Sequence, residues 1–198
     1  MLAALIAFLV QAQSPEISSV YTEIDTCMET PGPAPINERC VGYAGWVIHI
    51  GASEHSAGLA YSDRARDEQL SQRPITTGLY QGFDRTIEWR VRRADDDWIA
   101  FATIHRWTSR TPVFDAETGA QAGETDIDAH LLVVSVLRED GPIGACHAAY
   151  IDVREVYDAN TVARRFTDLM ADRFRCGIDD PYRIGAGEAA MLMERGRL

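Results

Sequence analysis

RTIEWRVRR at 85–93 and WIAFATIHRW at 98–107 decide the fold, with only Ala94 and the triplet Asp95-Asp96-Asp97 between them. Both runs are rich in β-branched and aromatic residues and they flank a short acidic turn, the pattern of an antiparallel hairpin. Pairing Arg93 with Trp98 puts Ile87, Trp89, Val91, Ala100, Ala102 and Ile104 on one face, which is apolar and expected to meet a core. The other face carries Thr86, Glu88, Arg90 and Arg92 beside Ile99, Phe101, Thr103, His105 and Trp107. A slip of one residue would exchange the two sets.

A second hairpin follows, HLLVVSVLR at 130–138 and IGACHAAYID at 143–152, joined by Glu139-Asp140-Gly141-Pro142. Its strands are too apolar to face water on either side, which predicts the centre of the sheet. Upstream, Val20 to Ile24, Trp46 to Ile50 and Leu59 to Tyr61 read as further strands. TPGPAPINER, bracketed by Cys27 and Cys40, holds three prolines in five residues and predicts a surface loop tied at its base. ETGAQAGETD at 117–126 reads as a polar loop entering a strand. One helix is expected over 160–175, capped by Asp158 or Asn160, with Val162, Phe166, Leu169, Met170 and Phe174 as its apolar stripe. The fold class is therefore α+β: a mostly antiparallel sheet or open barrel of about six to eight strands, with one C-terminal helix. A single domain is expected over 13–176, followed by a tail over 177–198.

The N-terminal MLAALIAFLVQAQ is an uncharged apolar run closed by Val10-Gln11-Ala12, which predicts a signal peptide over 1–12 and a periplasmic or secreted mature chain. It is too short to span a bilayer, so no membrane span is expected after cleavage. The four cysteines, Cys27, Cys40, Cys146 and Cys176, then point to disulfides, with the local pairs Cys27–Cys40 and Cys146–Cys176 favoured over the two other connectivities. The net charge of −11 disfavours nucleic acid as a partner. All 19 basic residues are arginine, which removes lysine chemistry from consideration.

Five pieces taken together, YTEIDTC, CVGYAGW, TIEWR, ATIHRW and CHAAYIDVREVYDANTVARRF, resemble a family of small exported proteobacterial proteins with no established activity. The resemblance runs from about Val20 to Cys176 and implies the compartment and the fold, while bringing no catalytic residues with it.

Candidate chemistry is sparse. Glu88, Arg90, His105 and Trp107 on the mixed face of the first hairpin could bind an anionic or sugar-like ligand through arginine donors and an aromatic platform, in which case Arg90→Ala costs less than about 1 kcal/mol of stability. Asp126, Asp128 and His130 stand two apart and would leave one face of a strand together, a donor set suited to a divalent cation; His49, Glu54 and His55 could add ligands. Gly51-Ala52-Ser53-Glu54-His55 lacks the second glycine of a nucleophile elbow, and GAGEAA at 185–190 has no strand–helix frame for a dinucleotide. Cys146-His147 would point to opposite faces of its strand. No cofactor is expected. The leading expectation is a non-catalytic envelope protein that binds a protein or small ligand. A periplasmic hydrolase or metal-dependent enzyme, and an inhibitor of a cell-wall-degrading enzyme with the Cys27–Cys40 segment as its rigid loop, are the alternatives.

Overall fold

The computed structural model describes residues 15–25, 27–29, 36–52, 57–63, 81–110, 112–124, 129–138 and 144–185. In chain order the strands are β1 (Ile17–Glu23), β2 (Cys27–Glu29), β3 (Ile36–Val41), β4 (Val47–Ala52), β5 (Ala57–Ser62), β6 (Gln81–Ala94), β7 (Asp97–Ser109), β8 (Pro112–Phe114), β9 (Gln121–Glu124), β10 (Ala129–Leu137), β11 (Ala145–Asp152) and β12 (Tyr182–Ile184), with helix α1 (Ala159–Met170) between the last two. The main sheet has the order β1-β6-β7-β10-β11-β12, and a second sheet has the order β2-β3-β4-β5. All pairings are antiparallel except β11 with β12. The α+β expectation holds, as an open main sheet of six strands.

The main sheet is buried on both faces, which is why β10 reads as an unbroken apolar run. Leu131, Val133 and Leu137 join Ile87, Trp89 and Val91 in a core shared with Cys40, Trp46, Ile48, Leu59 and Tyr61 of the second sheet. Leu132, Val134 and Val136 join Ile151, Ala159 and Ala163 in a second core under the helix. Trp89 is fully buried between the sheets, edge-on to Tyr61 at 5.6 Å. It passes so near Gly42 that a Cβ there would lie 2.8 Å from the indole.

Four sequence expectations change. Arg93 does pair with Trp98, but a β-bulge follows: Val91 lies opposite Ala100 and Arg90 opposite Ala102, leaving Phe101 as the extra residue. Beyond it every side chain of β7 changes face, so Ala102 and Ile104 go under the helix while His105 and Trp107 join the Trp89 face. The segment tied by Cys27 and Cys40 has strands at its base, where β2 and β3 pair with the two cysteines directly opposite each other, while the proline-rich stretch 30–35 lies outside the described residues. The helix itself buries Ala159, Ala163 and Thr167; of the expected stripe, Phe174 just past the helix end is buried, Val162, Phe166 and Met170 are half-buried, and Leu169 is 70% exposed; Asp158 makes no side-chain cap bond. The expected tail supplies β12, whose Tyr182 ring packs against Phe166 and Phe174.

Both disulfides form with the expected pairing. Cys146–Cys176 ties the segment after the helix to β11. Arg138, at the end of β10, donates to the carbonyls of Ala171 and Phe174 and so clamps the same helix end. Formed disulfides suit an oxidising compartment. No described helix is long and apolar enough to cross a membrane. The expected signal peptide over 1–12 lies outside the described residues.

Candidate functional site

The polar residues of β6 face the helix because alternation sends every second side chain to that side. Helix residues four apart rise about 6 Å, and strand residues two apart advance about 6.6 Å, so the two rows stay in step over three rungs. Arg164 donates to both oxygens of Glu88 at 2.7 and 3.0 Å. Arg90 is bidentate on Asp168, with Nη2 at 2.7 and 2.8 Å and Nε at 3.0 Å. Arg92 is bidentate on Asp172 at 2.6 and 2.8 Å and lies 4.8 Å over the Phe101 ring. Ser19 of β1 donates to Glu88 and accepts from Arg90, linking the first two rungs. The Arg92 bond, ahead of the opposing effect of burial, holds the Asp172 carboxyl below the usual carboxylate range.

This ladder occupies two of the four residues expected to hold a ligand, Glu88 and Arg90. The side chains of Glu88 and Arg90 are only 9% and 7% exposed, and their hydrogen-bonding groups are engaged with the helix and β1. His105 and Trp107 stand on the opposite face of the sheet, where they continue an aromatic row from Phe83 through His147 to Tyr150. The structure therefore does not bring Glu88, Arg90, His105 and Trp107 to one surface.

The expected metal donors are also divided. Asp126, Asp128, Glu54 and His55 lie outside the described residues. His130 Nε2 lies 2.7 Å from Arg106, and because a guanidinium only donates, that nitrogen is the acceptor. Burial, then the Arg106 charge, lowers the His130 pKa. A cation at that nitrogen would have to displace another cation. His49, fully buried in β4, is held by Ser62 at 2.7 Å, and burial, then Arg39, pushes its pKa down to about 4. His105 donates from Nε2 to the Asp84 carbonyl at 2.6 Å; burial pushes its pKa down to about 4 against the opposing pull of that bond. Cys27, Cys40 and Glu38 lie close together, but the two sulfurs are bonded to each other. Cys146 is likewise bonded, to Cys176, and its neighbour His147 lies 3.0 Å from the Tyr150 hydroxyl.

A cleft of about 210 Å³ opens beside the first disulfide, lined by Met28, Val41, Trp46 and Val47 with Arg39 at its wall. Drug-sized ligands occupy sites of about 300–1,000 Å³, so this one suits a side chain better than a cofactor.

The exposed feature that sequence reading missed is the ribbon β8–β9. It is inserted where β7 passes to its neighbour β10, the two middle strands of the main sheet, and it pairs with neither sheet. Its turn is fastened by Asp115, whose Oδ1 accepts from the backbone N–H groups of Glu117 and Thr118 and from the Thr118 hydroxyl, at 3.0, 2.7 and 2.8 Å. Those bonds hold the Asp115 carboxyl below its ordinary range. Gly119, with φ of 68°, closes the turn through its N–H to the Asp115 carbonyl. Val113 and Phe114 are 44% and 56% exposed. The legible signal was the pair of apolar residues ahead of an Asp-x-x-Thr-Gly turn.

No family model, no curated protein and no solved structure matches this chain.

Proposed function

We propose that this chain is an exported, non-catalytic envelope protein, periplasmic or secreted, that binds another protein through the β8–β9 arm. The observation that carries the reading is the exposure of Val113 and Phe114 on a fastened two-stranded ribbon outside both sheets. An isolated ribbon buries too little to stabilise itself, so two apolar side chains held in water there gain from a partner surface. The apolar N-terminus, the two formed disulfides and the resemblance to small exported proteobacterial proteins support the compartment. Among the alternatives, inhibition of a wall-degrading enzyme gains from the same arm, an exposed turn fastened by Asp115 of the kind an inhibitor presents. The arm takes the place expected for the Cys27–Cys40 segment.

The test is co-isolation from envelope extract with the mature chain as bait. Wild type is expected to retain a partner protein that Phe114→Asp does not, while the variant keeps the wild-type circular dichroism and melting temperature. Equal retention by both baits, or no protein retained by wild type, contradicts the reading.

A further inference from the structure

We infer that the partner offers a cationic cleft with two apolar walls, and that the arm enters it as a wedge. The inference rests on the protein-binding reading above and adds the shape and charge of the partner. Shape comes from the ribbon: Val113 and Phe114 are consecutive in β8, the strand opposite the β-bulge that leaves Ala122 unpaired, so alternation along β8 sends them to opposite faces, and both are exposed. A flat surface could cover only one of them, whereas a cleft covers both at once. Opposite Val113 stands Gly123, where even an added Cβ would meet nothing within 4 Å. The ribbon is therefore thin on that side, as insertion requires.

Charge comes from the sequence around it. Between Arg110 and His130 there are five carboxylates, Asp115, Glu117, Glu124, Asp126 and Asp128, and no arginine. The whole chain carries −11, so a second copy would approach with the same sign and be repelled. A basic cleft is attracted at long range by the whole molecule and at close range by the arm, and its low-dielectric walls strengthen the second term.

The experiment places a benzophenone amino acid at position 113, at position 114 and, as a control, at the exposed position 169 in the otherwise intact mature chain, and irradiates each in envelope extract. Adducts are identified by mass spectrometry, and their peptides are located on the partner. The expected result is one basic protein joined to both arm positions and not to 169, with contact peptides on two facing walls of an Arg/Lys-lined cleft. The adduct yield should fall by about tenfold from 50 mM to 500 mM salt, as screening predicts. An adduct with an acidic protein, with a flat surface, or with a second copy of this chain overturns the cleft while leaving protein binding through the arm intact. A salt-insensitive yield does the same. No arm adduct, or one only at 169, overturns both.

Discussion

Trp89 and Arg90 are neighbours in β6, both buried, and they point into different cores. Truncating Trp89 opens a cavity between the sheets, and Trp89→Ala is expected to cost about 3–5 kcal/mol. Arg90→Ala, expected from sequence to be nearly neutral, is instead expected to cost about 2–4 kcal/mol, because it strips Asp168 and Glu88 of a partner in a half-dry interface. The lower half of that range reflects the 28% exposure of Asp168. Chemical denaturation of both variants checks the pair. Alternation made the burial of Trp89 legible, whereas Arg90 looked exposed because its partner lies 78 residues away in a helix whose docking no local pattern encodes.

His105 makes a pH prediction at the same scale. Burial pushes its folded pKa down to about 4, below the ordinary imidazole value of 6.5, so protonation favours the unfolded chain. The stability from keeping it neutral is complete above pH 6.5 and is lost as pH falls from 6.5 towards 4, by about 3 kcal/mol. His105→Gln should flatten the acid limb of a stability–pH curve over that window. A limb of unchanged slope would show that burial does not hold this imidazole neutral.

At the scale of elements, the helix is fixed by three devices: small residues that let it approach the sheet, the ladder to β6, and the Cys146–Cys176 bond with the Arg138 clamp. The bond closes a loop 30 residues long, so Cys176→Ser is expected to cost about 2–5 kcal/mol by thermal or chemical unfolding. The even cysteine count and the preference for local loops favoured both pairings that form, over two other connectivities. The helix face was misread in part because size was taken as the guide to burial, while the sheet surface beneath already carries Phe101, Ile104 and two arginines, so that small residues, Ala159, Ala163 and Thr167, meet it along the helix and a large one, Phe174, is buried only past its end. The Phe101 bulge was invisible for a related reason: any register of alternating apolar residues looks complete until the partner strand is known. That one extra residue separates Glu88 and Arg90 from His105 and Trp107.

Across the whole molecule, the ordering forces lie apart from the exposed apolar pair that is proposed to meet a partner. Two cores share the main sheet, Glu88, Arg90 and Arg92 of β6 are engaged by the helix and its end, and the exposed apolar pair sits on an arm outside both cores. The α+β architecture could be read from periodicity because the strands that carry the cores, β6, β7, β10 and β11, are long and half or fully apolar. The arm was passed over because its three- and four-residue strands carry no periodicity, and only the apolar pair ahead of the Asp115 turn marks it within a polar stretch. The separation gives the most direct test: folding stability and partner retention measured side by side on two variants, Arg90→Ala and a chain whose residues 113–123 are replaced by a short Gly-Ser link. The account predicts that Arg90→Ala loses stability while its folded fraction retains the partner like wild type, and that the arm-replaced chain melts like wild type and retains none. An arm-replaced chain that still holds the partner, or an Arg90→Ala chain that is fully stable and no longer binds, would return the binding site to the β6 face and contradict it.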